Sequence, residues 1–235
     1  MAHLVNFMGT DTFEGVLGAM KFYGADMPGF SIPASEHSTI TSWGRERELE
    51  AFENMLDSYP TGIVACVSDS YDLMRAVNVY WGDKLRDKIM NREGTLVVRP
   101  DSGNPVTTPI EVIEALMEKF GYEVNAKGYK VLPPQVRVIQ GDGLTPAIIS
   151  QLVSALIEHG ISIDNIAFGM GGGLLQKLDR DTCKYAMKAN AAEVNGEWVD
   201  VYKDPITDPG KTSKKGRQAL VFRDGFSRRF HTLTL

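Results

Sequence analysis

Cysteine is scarce in this chain: of 235 residues only Cys66 and Cys183 carry a thiol. Both sit in apolar or strand-like surroundings, with neither a disulfide framework nor the paired spacing of a zinc site. That pattern fits buried free thiols in a reducing compartment. Long apolar runs are also missing. No stretch approaches the ~20 residues a membrane-spanning helix needs, and no charged-then-apolar leader opens the chain. Positive charge is not in surplus either, with 25 Lys and Arg against 30 Asp and Glu and a net charge of −5. A general nucleic-acid binder carries a basic footprint, so that class is excluded, while local cationic pockets stay allowed. Low-complexity segments are absent. The expectation is a soluble, cytoplasmic protein that takes neither nucleic acid nor membrane as a partner.

What is present is ordinary globular material, 43% hydrophobic and 23% charged, in a chain long enough for one large domain or two small ones. Short β-rich runs alternate with helical periodicity. Strands are expected at Leu4–Met8, Phe30–Pro33, Gly62–Val67, Thr95–Arg99, Gln135–Gln140, Ile166–Phe168 and Tyr185–Ala189. Helices are expected at Phe13–Phe22, Glu46–Leu56, Tyr71–Met90, Pro109–Phe120 and Thr145–His159, where apolar residues recur three and four apart. In "TPIEVIEALMEKF" the residues Ile110, Ile113, Leu116 and Phe120 share one face, with Pro109 near the start. Strands recur at roughly the interval of a βαβ unit, and their continuous apolar character suggests a parallel sheet covered by helices. The fold class is α/β.

The segments that follow the strands carry the chemistry. They read "GTD" (Gly9–Asp11), "PASEHS" (Pro33–Ser38), "SDSYD" (Ser68–Asp72), "RPDSGNP" (Arg99–Pro105), "GDG" (Gly141–Gly143) and "GMGGG" (Gly169–Gly173). In a barrel or open α/β sheet such loops converge at the carboxyl ends of the strands, where ligands bind. Asp11, His37, Asp69, Asp101 and Asp142 are therefore expected around one cavity. The glycine cluster stands between a strand and a helix-like segment, Leu174–Leu178. Bare backbone there suits the approach of an anion to N–H groups, although a tight turn explains it about as well. Arg180, Lys188, Lys203 and Arg99 supply cations for phosphate; for Arg180 a surface ion pair with Asp179 or Asp181 is an equal alternative.

Several aspartates facing a phosphate-rich pocket would repel it unless a cation intervenes, and Mg²⁺ bound by one or two carboxylates plus substrate phosphates suits the case. Asp69 and Asp101 are the candidate ligands, with capping and turn-making as their bland alternative. His37 is the one histidine in a polar strand-end loop, since His3, His159 and His231 look terminal, helical or tail-like. Oriented by Glu36, Ser38 or Asp69, its ring is a candidate acid, base or phosphoryl-accepting nucleophile.

The blocks "HLVNFMGTDT", "SIPASEHSTITSWG", "VSDSYDLMRA", "VRPDSGNP", "VIQGDG", "IAFGMGGGLLQKLDRD" and "VYKDPITDPGKTSKKGR" resemble, in order and spacing, the nicotinamide phosphoribosyltransferases of the type II phosphoribosyltransferase family. The resemblance runs from His3 to about Arg217. It implies an irregular, here incomplete, β/α barrel over residues 1–190, followed at 191–235 by an extended Lys-rich loop and a short C-terminal segment. It also implies a homodimer, or association with a missing half, because the family's chains are about twice as long. The implied reaction joins nicotinamide to phosphoribosyl pyrophosphate with Mg²⁺, giving nicotinamide mononucleotide and pyrophosphate.

By the same resemblance, His37 is phosphorylated by ATP as a facultative co-substrate, and Asp69 supports it. Asp11 binds the nicotinamide amide with Ser31 nearby. Arg99, Asp101 and Asp142 hold the ribose and its phosphate surroundings, and Gly171, Gly172, Arg180, Lys188 and Lys203 bind phosphates. Asp11 favours an amide over the carboxylate of nicotinate. After "KKGRQALVFRDG" the tail departs from the family, Ala186 stands where relatives often have serine, and Ala65 replaces another small polar residue. The other class left open is a non-catalytic fragment that binds phosphates or nucleotides, or pairs with a full-length homologue.

Overall fold

The computed structural model describes residues 13–29, 31–169, 188–223 and 229–234. The expected strand Leu4–Met8, Asp11, the residues Gly171, Gly172 and Arg180, and the expected helix Leu174–Leu178 lie outside them.

The apolar runs become four parallel strands: β1 (Thr61–Val67), β2 (Glu93–Arg99), β5 (Val136–Gln140) and β6 (Ile166–Phe168), in the order β1-β2-β5-β6. Two short strands between them, β3 (Glu123–Val124) and β4 (Lys130–Val131), form a separate antiparallel pair. Register aligns Val64 with Leu96, and Leu96 with Val136, so like apolar residues fall on one face. Gly62 and Gly94 lie side by side in the same ladder, and a Cβ on Gly94 would stand 2.0 Å from the Gly62 carbonyl oxygen. Only bare backbone fits that approach. On the outer edge of β1, the segment around Ala34 adds a parallel bridge to Ala65, flanked by Ser35 N–H to Ala65 O and Ala65 N–H to Pro33 O. Among the described residues β6 pairs on one side only, so the sheet is open and the barrel is not closed.

Helices fill the intervals. They are α1 (Phe13–Tyr23), α2 (His37–Thr41), α3 (Glu48–Ser58), α4 (Leu73–Arg75), α5 (Arg86–Met90), α6 (Thr107–Phe120) and α7 (Pro146–Glu158). Asn104 sets the start of α6, its Oδ1 accepting from the backbone N–H of Val106 and Thr107, and Gly121 at φ 80° ends it. Thr145 caps α7 in the same manner, with Pro146 in the first turn. The segment expected as one helix over Tyr71–Met90 is broken: α4 runs into a π-helical stretch, Ala76–Lys84, which closes with Leu85 N–H on Tyr80 O. The π stretch turns Trp81 inward, where it stacks on Phe52 at 4.4 Å and donates to Ser68 Oγ at 3.0 Å. The core lies between one sheet face (Val64, Cys66, Leu96, Val98, Val136, Val138) and α3, the π stretch, α6 and α7.

After residue 188 the chain forms the hairpin β7 (Ala191–Val194) and β8 (Glu197–Asp200), then a polar loop, then the hairpin β9 (Gln218–Arg223) and β10 (Arg229–Thr234). The part of the expected strand Tyr185–Ala189 that is described has no strand structure. None of the helices is long and apolar enough to cross a membrane among the described residues.

Candidate functional site

The ends of β1 and β2, with the segment bridged to β1 at Ala34, deliver the site. Ser35 Oγ accepts from Val67 N–H at 2.9 Å, which pins the segment carrying His37 against the end of β1. His37 then opens α2, a single turn steadied by Glu36 N–H on Thr39 Oγ1 and Thr41 Oγ1 on His37 O. The loop after β1 brings Asp69 beneath the ring, with Ser68 held by Arg99 O and by Trp81. The loop after β2 brings Asp101.

His37 Nε2 lies 2.9 Å from Asp69 Oδ1, and Lys203 Nζ donates to Asp69 Oδ2 at 3.0 Å. All three residues are buried. Burial alone would raise the Asp69 carboxyl, but the His37 hydrogen bond and the Lys203 ammonium outweigh it and hold the group well below the usual carboxylate range. An ionised Asp69 accepts the Nε2 proton, which leaves Nδ1 as the free ring nitrogen. That nitrogen is 3.8 Å from Asp101 Oδ2, too far for a hydrogen bond. A cavity of about 290 Å³ opens here, lined by Glu36, His37, Asp101, Lys188, Lys203 and Ser213, among others.

Cations ring the cavity. Arg99 reaches Glu36 Oε2 at 3.5 Å and keeps a buried Nε without a partner among the described residues. Lys203 and Lys211 arrive on the polar loop 201–213, which crosses the strand ends as a strap. Its Asp204 and Ile206 N–H groups donate to Ser70 O and Tyr71 O, and Thr207 hydrogen-bonds Ser102. Lys211 donates to the Asp101 carbonyl at 3.0 Å and pairs with the Asp142 carboxylate.

Of the expected site residues, His37, Asp101, Lys188 and Lys203 line this cavity, Asp69 lies buried behind His37 and Lys203, and Arg99 reaches the rim through Glu36. Asp142 is drawn to the same strap by Lys211 rather than lining the cavity. Ser31 is exposed and makes none of these contacts. The two carboxylates expected to meet Mg²⁺ differ in their surroundings. Both Asp69 oxygens are engaged, whereas the Asp101 carboxylate faces the cavity and is 29% exposed. No cluster of three or more metal-ligating side chains exists among the described residues. Lys211 and Ser213 were not singled out from sequence; the two Asp-Pro turns of "KDPITDPGK", which fold the strap back on itself, were the available signal.

Across the chain, residues 1–232 match the family model described as the nicotinate phosphoribosyltransferase (NAPRTase) family. The chain belongs to that family. Among curated relatives it is 55% identical over 222 residues to the nicotinamide phosphoribosyltransferase of Xanthomonas campestris, covering 94% of this chain and 47% of that one. It is 35% identical over 252 residues to the nicotinamide phosphoribosyltransferase of Acinetobacter baylyi, covering 97% and 49%. A Mycoplasma pneumoniae protein of the same name is 37% identical over 229 residues, covering 92% and 48%. The chain thus spans about half the length of the curated relatives it matches.

Proposed function

We propose that this chain carries the barrel region of an enzyme of NAD salvage. It would transfer the phosphoribosyl group of phosphoribosyl pyrophosphate to nicotinamide, giving nicotinamide mononucleotide and pyrophosphate. The observation that carries the reading is the His37–Asp69–Lys203 unit opening on a cation-rimmed cavity in a member of this family. The names of its relatives support nicotinamide as the acceptor, and a carboxylate at Asp11 suits an amide.

In that reaction the bond from the ribose C1′ to pyrophosphate breaks as the pyridine nitrogen bonds to C1′, through an oxocarbenium-like state. The protein must hold both reactants and stabilise negative charge growing on the leaving pyrophosphate. Lys188, Lys203 and the Arg99 guanidinium serve the second task, and Asp101 serves the positive sugar. Mg²⁺ carried by the pyrophosphate would add charge neutralisation, with Asp101 as its contact on this chain.

ATP coupling would run through His37. With Nε2–H held by Asp69, the Nδ1 lone pair attacks the terminal phosphorus, an N–P bond forms, and ADP leaves with the electron pair of the broken P–O bond. Asp69 stabilises the cationic ring, and water later releases phosphate. We also propose that the working form is a homodimer, or an association with the region of the relatives this chain does not match.

The test is nicotinamide mononucleotide formation from nicotinamide or nicotinate, with phosphoribosyl pyrophosphate and Mg²⁺, with and without ATP. Asp101→Ala should lower turnover by about 100-fold or more, while His37→Ala should remove only the ATP stimulation. Equal activity in both variants and the parent sinks these roles. Pyrophosphate binding without turnover would instead favour a binding-only fragment.

A further inference from the structure

The strap carries Lys203 of the cavity and Lys211 beside it, and it is tied to the body by the Lys203–Asp69 and Lys211–Asp142 ion pairs and by Thr207 on Ser102. One further ion pair ties it to the body near the start of α3. Arg45 Nη2 donates to Asp204 Oδ2 at 3.2 Å, and Thr212 Oγ1 donates to the other Asp204 oxygen at 3.1 Å. The Arg45 guanidinium also lies over the ring of Tyr71 at 4.7 Å, the residue whose carbonyl accepts from Ile206 N–H.

Behind Arg45 stands Glu48, a carboxyl with no use in the chemistry above. It is buried, and its Oε1 finds no hydrogen-bond partner among the described residues; the buried Tyr71 hydroxyl and Ser70 Oγ are orphaned in the same way. Arg45 and Arg75 are the cations that act on Glu48, and Asp72 and Asp69 are the anions. Tyr71, Tyr80 and Cys66 complete the titratable groups within its reach. Arg75 is partly committed to the Tyr80 ring, at 5.4 Å.

We propose that Arg45 is a positioning residue for the phosphate-binding strap, clasping Asp204 so that Lys203 and Lys211 stay over the site, and that Glu48 behind it decides whether the clasp is made. The Arg45 side chain is 42% exposed and the Asp204 side chain 46% exposed, so their attraction is screened by water. An ionised Glu48 in the low-dielectric interior would attract the same guanidinium more strongly. While Glu48 is neutral, Arg45 stays on Asp204; once it ionises, Arg45 turns inward and the strap loses this one of its ties. Burial pushes the Glu48 carboxyl up to about 8, Arg45 and Arg75 pulling against it and Asp72 and Asp69 adding to it. The changeover therefore falls in mildly alkaline solution.

The positioning role rests on the phosphoribosyl-transfer reading; the clasp does not, and the experiment separates them. Hydrogen exchange at the Asp204 and Ile206 amides, corrected for intrinsic pH dependence, reports strap docking directly. Inorganic pyrophosphate affinity reports what docking does for the ligand. Arg45→Ala and Asp204→Asn should each lower protection of those two amides by about threefold to fivefold and weaken pyrophosphate by a similar factor, leaving α6 amides unchanged. Arg45→Lys should rescue in part. Between pH 7 and 9 the parent should lose strap protection progressively, while Glu48→Gln holds it constant. Unchanged protection in Arg45→Ala, or a pH loss in Glu48→Gln equal to the parent's, would overturn the clasp. Lost protection with undiminished pyrophosphate affinity would overturn the positioning role. A parent that binds no pyrophosphate would count against the proposed reaction, with the clasp decided by exchange.

Discussion

Two carboxyl groups lie buried within electrostatic reach of one another, and the chain treats them in opposite ways. Asp69 is wholly buried, yet it is held ionised by His37 on one oxygen and Lys203 on the other. Glu48 is 3% exposed, has an oxygen with no partner among the described residues, and keeps its proton to about pH 8. Burial acts on both in the same direction, since removing water penalises charge. The difference comes from what the loops bring. A strap residue and a strand-end histidine converge on Asp69, whereas Arg45 and Arg75 are turned toward Asp204 and Tyr80. Depth alone therefore does not decide which carboxylate serves as an anion, and the partners that do decide come from distant points in the chain.

The largest test of this contrast removes the anion. Asp69→Asn keeps shape and one acceptor but leaves the Lys203 ammonium buried without a counter-charge, and its amide must face either His37 or Lys203 with the wrong group. Loss of one member of a buried pair costs roughly 3–5 kcal/mol. Denaturant midpoints at pH 7 should show it, and a change below about 1 kcal/mol would mean the pair is hydrated in solution. Lys203→Gln is milder, removing one charge-assisted contact and costing about 1.5–3 kcal/mol. It should also raise the Asp69 carboxyl toward its ordinary value. The lowered group stabilises the fold above its unfolded pKa and loses that contribution as pH falls, so the acid limb of the stability profile should move to higher pH in this variant. An unmoved acid limb would assign the lowering to His37 and Ser102 without Lys203.

The sequence and the fold agree where one element suffices to state the pattern. The apolar runs at β1, β2, β5 and β6 and the periodic face of α6 are local signals, and His37, Asp69 and Asp101 were marked by following strands directly. The π stretch was not legible, because a wider turn blurs the 3.6-residue period that identifies a helix. The hairpins at β3–β4 and β7–β8 are two and four residues long per strand, too short for an alternation to register. Long-range pairing was least visible. Lys203 reaches Asp69 across 134 positions and Lys211 reaches Asp142 across 69, and the Asp-Pro turns of "KDPITDPGKTSKKGR" signal a fold-back without naming the partners of its lysines. Glu48, within the charged run "RERELE", reads as solvated surface, and only packing shows that α3 turns it inward.

The reverse side of the contrast is tested by Glu48→Gln. A group whose folded pKa stands above its unfolded value stabilises the native state below the unfolded value and loses that contribution as pH rises through the folded one. For Glu48 the window runs from about 4.5 to about 8, at about 1.4 kcal/mol for each unit of difference. The parent should thus lose a few kcal/mol across that interval. Glutamine carries no such linkage, so the variant should match the parent near pH 5 and exceed it at pH 8 to 9 in thermal midpoint. A variant less stable than the parent at pH 9 would show that Glu48 is ionised and paired in the native state.

The smallest expected change comes from Arg45→Gln, and it is diagnostic by direction. Arg45 is the foremost group pulling the Glu48 pKa down, so its removal should drive that pKa further above 8 and move the alkaline loss of stability to higher pH. At pH 7 the cost should be about 1 kcal/mol or less, since the ion pair with Asp204 is largely exposed. Midpoints of stability against pH would measure the displacement. A shift to lower pH, or none, would leave Arg75 as the effective counter-charge. Glu48 would then be governed from within its own side of the core, uncoupled from the strap that Arg45 holds.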